Sequence, residues 1–257
     1  MGERRGLRVI RAANPSPLTL DGTRTHIVGR ERVAIIDPGP DLPAHIDAVA
    51  EAIGGGVSVS ILLTHDHPDH AAGADALARR LGTRALRFGD GIDDGQRFDT
   101  DAGELIAVAT PGHTPDHVAF DWPAGRAVFV GDLMLGGMDT ALIAPPEGDL
   151  AAYLASLDRV RRIGAQALIP AHGDPFEDAD AAIGRYVAHR RQRLARVREA
   201  IVAAGDDGAR ADEVTTHVYG GALAADLRVA AEAATHAYLD WLVARGEARL
   251  EGGRWRA

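Results

Sequence analysis

The 257-residue chain contains no cysteine. That excludes disulfides, thiolate catalysis and sulfur ligands, so any metal site must be built from nitrogen and oxygen. Lysine is absent too: all 28 basic side chains are arginine. Schiff-base chemistry and the lysine of a phosphate-binding P-loop are therefore excluded. No run of about 18 apolar residues occurs, so no transmembrane helix is expected. The N-terminal stretch MGERRGLRVI lacks the apolar segment of a secretory signal, and a cytoplasmic location is the expectation. The net charge of −9 argues against a globally basic nucleic-acid binder. That charge is uneven. Residues 1–180 carry 16 arginines against 27 acids, net −11, and residues 181–257 carry 12 against 10, net +2. The shift predicts two domains, 1–180 and 181–257, and the 46% hydrophobic content is ample for a large core in the first.

What is present is concentrated in one stretch, Thr64 to Gly73, reading THDHPDHAAG. An aliphatic run of strand length, Val57 to Leu63, precedes it, and the helical pattern Asp75 to Leu81 follows. The stretch thus lies where a buried strand ends and a helix begins, the usual place for a site in an open α/β sheet. Alternate residues of an extended segment point the same way, so His65 and His67 can reach one metal ion together. Asp69 and His70 follow the turn and can face a second ion. Imidazole and carboxylate suit zinc, iron or manganese. A polar loop with chance histidines is the bland alternative, and the HxHxDH spacing straight after an apolar strand speaks against it.

Three further polar corners follow: Thr110-Pro111-Gly112-His113-Thr114, Val130-Gly131-Asp132 and Ile169-Pro170-Ala171-His172-Gly173. Each follows or ends an apolar run, which places His113, Asp132 and His172 at strand ends. Taken together, residues 7 to 180 resemble the metallo-β-lactamase superfamily. The resemblance implies an α/β fold, the αββα sandwich. It implies a metal-dependent hydrolase with two divalent ions, zinc before iron or manganese. In this likeness His65, His67 and His113 hold the first ion, Asp69, His70 and His172 the second, and Asp132 bridges them. A metal-bridging hydroxide is then the nucleophile, with Asp69 as the catalytic residue that orients it. Asp37, in Asp37-Pro38-Gly39, reads either as a carboxylate behind a ligand histidine or as a turn former. His117 reads either as a residue lining the substrate pocket or, by preference, as a structural histidine, and His26, His45, His189, His217 and His236 read as structural. Asp66 reads as a surface or helix-start carboxylate.

Helical spacing covers Ala44 to Ile53, which Gly54-Gly55-Gly56 ends, and Leu150 to Ile163. Beyond residue 180, Ile183 to Ala204 reads as an arginine-rich helix. Ala211 to Tyr219, with Asp212 as N-cap, and Ala222 to Arg245 read as further helices, and Glu247 to Arg256 as a hairpin. Helices followed by a two-stranded wing resemble the small C-terminal winged-helix domain of one branch of the superfamily, near glyoxalase II. The tail's +2 is a weak electrostatic footprint, which favours a packing or dimerisation element, in a homodimer, over nucleic-acid contact. The bridging position of Asp132 points, by the same resemblance, away from lactam hydrolysis. It points toward an ester-type acyl substrate: thioester, ester or lactone. Single-stranded RNA, cut by a metal-dependent endoribonuclease, is the alternative, with activity falling steeply as salt rises. A non-catalytic DNA-binding regulator is a third reading, disfavoured because seven ligand positions exceed what a binding module needs.

Overall fold

The computed structural model describes residues 4–54 and 58–257. Gly55, Gly56 and Val57, where the helix stop and the strand start are expected, lie outside the described residues, as do residues 1–3. The first sheet has six strands in sequential order. They are β1 (Leu7–Arg11), β2 (Arg24–Val28), β3 (Arg32–Ile36), β4 (Ser58–Leu62), β5 (Ala85–Phe88) and β6 (Gly91–Ile92). β1 to β3 form an antiparallel meander, and β3 to β6 pair in parallel. The first two parallel steps are crossovers, whereas only residues 89 and 90 separate β5 from β6. α1 (Pro43–Ile53) joins β3 to β4, and α2 (Pro68–Ala71) and α3 (Ala74–Leu81) join β4 to β5.

The second sheet has five strands in the order β11-β10-β9-β8-β7: β7 (Arg97–Phe98), β8 (Leu105–Ala109), β9 (Val118–Trp122), β10 (Ala127–Gly131) and β11 (Ala167–Pro170). Only β10 and β11 pair in parallel, across α4 (Leu150–Ile163). The remainder is α5 (Ala179–Ala204), α6 (Ala211–Tyr219), α7 (Ala225–Ala244) and the hairpin of β12 (Arg249–Glu251) and β13 (Arg254–Arg256).

Alternation along the strands creates four layers, because successive side chains face opposite sides of a sheet. In β2 and β3, Val28, Ala34 and Ile36 point inward, where they meet Phe120, Phe129 and Ile169 of the second sheet. Ile27, Val33 and Ile35 point outward and bury Ile46 and Val49 of α1 and Leu77 of α3. On the far side, Val128, Val130 and Leu168 pack on Tyr153 and Leu157 of α4 and Tyr186 of α5. The order is therefore helix, sheet, sheet, helix. That third core continues without a break into Val214 of α6, Tyr238 and Leu239 of α7 and Trp255 of β13.

The strand expected before Thr64 is found as β4, and the expected helices recur with ends moved by a few residues. α5 starts at Ala179, earlier than its apolar pattern suggests, because Asp178 accepts from the Ala181 amide as N-cap. Asp212 does not cap α6. The helix begins at Ala211, and Glu213 instead accepts from the Arg210 amide at 2.8 Å. β6, β7 and β9 are not predicted from pattern. The first two are two residues long, and β9 is buried on both faces apart from Asp121, so it shows no alternation.

Candidate metal centre

The site is built from the segments that follow the ends of β4, β8, β10 and β11, with Asp69 and His70 carried on α2. Thr64 and His65 follow β4. Pro68 sets the first turn of α2, where its missing N–H costs nothing, so the chain turns immediately after His67 and carries Asp69 and His70 inward. Asp132 follows β10 and His172 follows β11. Gly131, the last residue of β10, takes φ +47°, and a Cβ there would approach Thr64 Oγ1 to 2.7 Å and His117 Nε2 to 2.8 Å. Only glycine lets the strand end press so close to the opposite sheet.

Two groups of side chains converge. In the first, His67 Nδ1 lies 3.0 Å from His65 Nε2 and 3.0 Å from His113 Nε2. Asp132 Oδ2 stands 3.7 Å from His113 Nε2. In the second, His172 Nε2 is 3.2 Å from His70 Nε2, 3.1 Å from Asp69 Oδ2 and 3.2 Å from Asp132 Oδ1. His70 Nε2 is 3.4 Å from Asp132 Oδ1. Asp132 thus touches both groups with different oxygens.

These contacts suit a cation better than they suit each other. One imidazole nitrogen cannot share a proton with two others at once. Nitrogens bound tetrahedrally at about 2.0–2.1 Å stand about 3.3 Å apart, close to the spacing here. Asp132 Oδ1 and His172 Nδ1 are buried without a well-directed hydrogen bond. The residues present therefore fit metal ions, and both groups could hold one.

The outer partners orient the rings. Asp37, buried and at φ +53°, accepts from the Thr64 amide (2.8 Å), the Thr64 hydroxyl (2.8 Å) and His70 Nδ1 (2.9 Å). It is the carboxylate behind a site histidine, one of the two readings open from sequence. Thr64 Oγ1 also meets His65 Nδ1 at 3.1 Å. His113 Nδ1 donates to the Leu142 carbonyl at 2.8 Å. His117 is buried, bonded to Thr110 Oγ1 at 2.8 Å, and its Nε2 accepts from the Asp132 amide at 3.3 Å. Burial lowers its pKa to about 3 and keeps it neutral, so it acts as a structural acceptor behind Asp132. Asp66 lies at the surface, paired with Arg87 at 3.1 Å.

The electrostatics follow from crowding. Burial opposes charge on His70, but Asp132 and Asp37 outweigh it and push its pKa well above the ordinary value. Burial likewise opposes charge on Asp132, yet His70, His172 and His113 hold its pKa well below the carboxylate range. The same negative field that would keep a proton on His70 is the field a divalent cation satisfies.

Sequence comparison decides what this arrangement belongs to. The sequence model of the Metallo-beta-lactamase superfamily matches residues 21–90 and 85–172. The chain belongs to the metallo-beta-lactamase superfamily. As such it is a hydrolase. It is 34% identical over 235 residues to an atrochrysone carboxyl ACP thioesterase of Aspergillus chevalieri, a match covering 83% of this chain and 73% of that protein. The metallo-beta-lactamase family protein TTHA1429 of Thermus thermophilus shares the fold at a TM-score of 0.78 and 23% identity, covering 98% of each chain. TTHA1623 in a di-iron-bound form aligns at a TM-score of 0.53 and 25% identity, covering 68% of this chain and 96% of the other.

Within this superfamily member the structure adds one site residue that pattern reading misses. Glu147, in the loop before α4, places Oε2 3.0 Å from His67 Nε2. The two are 80 residues apart, and nothing in Pro145-Pro146-Glu147 marks a contact. Glu147 also lines a cleft of about 590 Å³ between the His113 loop and α7. Its apolar walls include Pro111, Pro145, Leu150 and Trp241, and its charged members are Glu147, Asp149 and Asp240, all acidic.

Proposed function

We propose that this hydrolase is a dinuclear metal-dependent thioesterase acting on a small acyl substrate. The observation that carries it is Asp132, whose two oxygens reach both groups of ligands and so make one centre of two. On this reading His65, His67 and His113 hold the first ion, Asp69, His70 and His172 the second, and Asp132 bridges. Zinc suits the nitrogen-rich donor set, and iron or manganese is tolerated by it. A di-iron form of TTHA1623 is a reason to assay iron alongside zinc. Two bound divalent ions supply an activated water at neutral pH and polarise the acyl carbonyl.

The chain's own residues do the rest. Asp69 is the partly exposed carboxylate of the second group. Burial raises its pKa, but the hydrogen bond to His172 and the charge of His70 hold it below the ordinary value, so it stays an acceptor. It orients the attacking water by accepting a hydrogen bond on a carboxylate oxygen. Asp37, Thr64 and the Leu142 carbonyl keep the imidazoles aimed. The cleft beside His67 and His113 receives the acyl group and excludes water with its proline, leucine and tryptophan walls.

Thioester is favoured over RNA for two reasons. The relative from Aspergillus chevalieri is named for a thioesterase. The cleft carries three carboxylates and no arginine, a lining that repels a phosphate backbone. We read residues 181–257 as a winged-helix-like unit of the glyoxalase-II-related branch, which the order α6, α7 and the β12–β13 hairpin supports. Its core is continuous with that of residues 1–180, which favours a structural role for the tail over a nucleic-acid platform.

The test is turnover by the zinc-loaded and iron-loaded protein on an acyl thioester and on single-stranded RNA in parallel, with Asp69→Ala as control. Thioester hydrolysis that the control abolishes, with RNA left intact, is the expected result. RNA cleavage abolished by the control would overturn the substrate assignment.

A further inference from the structure

Arg190 of α5 is a buried cation, 3% exposed, that pairs with no carboxylate among the described residues. Its Nη1 donates to Tyr238 Oη of α7 at 3.1 Å, its Nη2 donates to the Ala141 carbonyl, and its guanidinium carbon lies 4.9 Å over the ring of Tyr153 in α4. Burying a cation this way is costly, because backbone and aromatic partners replace hydration only in part. An aliphatic residue would fill the space without that cost. What the guanidinium does that an aliphatic cannot is grip two oxygens in a fixed fork.

The carbonyl it grips belongs to the segment 133–142, which follows Asp132. Two tyrosines hold the same segment. Tyr153 Oη donates to the Leu133 carbonyl at 2.8 Å, and Tyr186 Oη both donates to the Leu135 carbonyl and accepts from the Leu135 amide at 2.8 Å. The segment in turn touches the metal centre at two points. The Leu142 carbonyl, one residue beyond Ala141, accepts from His113 Nδ1. The Gly136 amide donates to the His172 carbonyl at 2.8 Å. There the two segments run so close that a Cβ on Gly136 would stand 2.1 Å from the Asp174 carbonyl oxygen.

We propose that Arg190 is a positioning residue for the metal centre: by fixing Ala141 against α5 and α7 it sets the Leu142 carbonyl that aims His113 at the first ion. The C-terminal helices thereby act on the site without touching it. The inference rests on the metal-site reading above, and the experiment separates the two.

The full-length protein is prepared as wild type, Arg190→Met, Tyr238→Phe and Leu239→Ala. Leu239 is buried in α7 within the same core and has no side-chain group that can hydrogen-bond the segment or the site, so it reports packing loss. Each protein is loaded with cobalt, whose visible absorption reports ligand geometry. Affinity is read by competition with a chromophoric chelator, and the thermal midpoint is recorded. Arg190→Met shifts the cobalt bands and weakens binding about tenfold, within the range for losing an outer partner of a ligand. Tyr238→Phe moves both in the same direction by less. Leu239→Ala lowers the midpoint with a wild-type spectrum. A wild-type spectrum and affinity in Arg190→Met would overturn the proposal, as would Leu239→Ala reproducing its changes. If Arg190→Met does not fold, Tyr238→Phe decides alone. Failure of the wild type to take up cobalt would instead overturn the metal-site reading.

Discussion

The two halves of the candidate centre are built differently. His70 and His172 of the second group are fully buried, and Asp37 holds His70 from within the sheet. In the first group, His67 keeps a third of its side chain exposed and is braced by Glu147, itself a surface carboxylate. The two histidines of the second half are therefore part of the core and held by packing, while its Asp69 stays partly exposed, as His67 does. The first opens on the cleft, and its geometry depends on loops.

Four experiments break or sharpen that comparison, from the largest expected effect down. Asp132→Ala removes the one residue common to both halves. Metal content after dialysis falls in both groups, with a loss beyond the ~10–100-fold typical of an outer partner, and hydrolysis goes with it. Retention of both ions would show the halves to be independent. Asp37→Ala strands the Thr64 amide, the Thr64 hydroxyl and His70 Nδ1, all buried. Denaturant titration records a loss of about 3 kcal/mol, and affinity at the second group drops ~10–100-fold with the first less affected.

The third experiment is a pH series on metal-free protein. His26 of β2 lies near His70 and His172, and burial lowers its pKa to about 4. Between about 4 and the ordinary value near 6.5, the unfolded chain binds a proton that the folded chain refuses. Stability from the neutral ring is complete above about pH 6.5 and falls as the pH drops toward about 4, by about 3 kcal/mol. His26→Phe flattens that acid limb, and an unchanged slope would remove His26 as its source. The smallest effect belongs to Glu147→Gln. Exposed pairs contribute little, so first-group affinity changes less than about tenfold while the second group is untouched. A change as large as that of Asp37→Ala would mean the open half is as tightly built as the buried one.

The candidate ligands were legible in the sequence because each lies a fixed step past an apolar run. HxHxDH brings four of them together through local geometry alone, with Pro68 enforcing the turn. The strands of the sandwich core were legible from aliphatic runs, whereas β9 shows no alternation that could mark it. Asp37 was ambiguous, since an aspartate before proline reads equally as a turn former until Thr64 and His70 are seen around it. Glu147 and Arg190 carried no signal. Their roles come from contacts with His67, 80 residues away, and with Ala141, 49 residues away, and neither lies in a periodic or motif context.

By itself the sequence determined which chemistry is possible: nitrogen and oxygen ligands only, with the candidate ligands in polar stretches that follow apolar runs. Only the tertiary structure decided that Asp132 reaches both groups, that His65, His70 and His172 are sealed while His67 and Asp69 stay partly open, and that the C-terminal helices hold the segment behind His113. The physical reason is range. Strand ends and turns are written in neighbours a few residues apart, whereas the distance between two strand ends depends on how whole sheets pack.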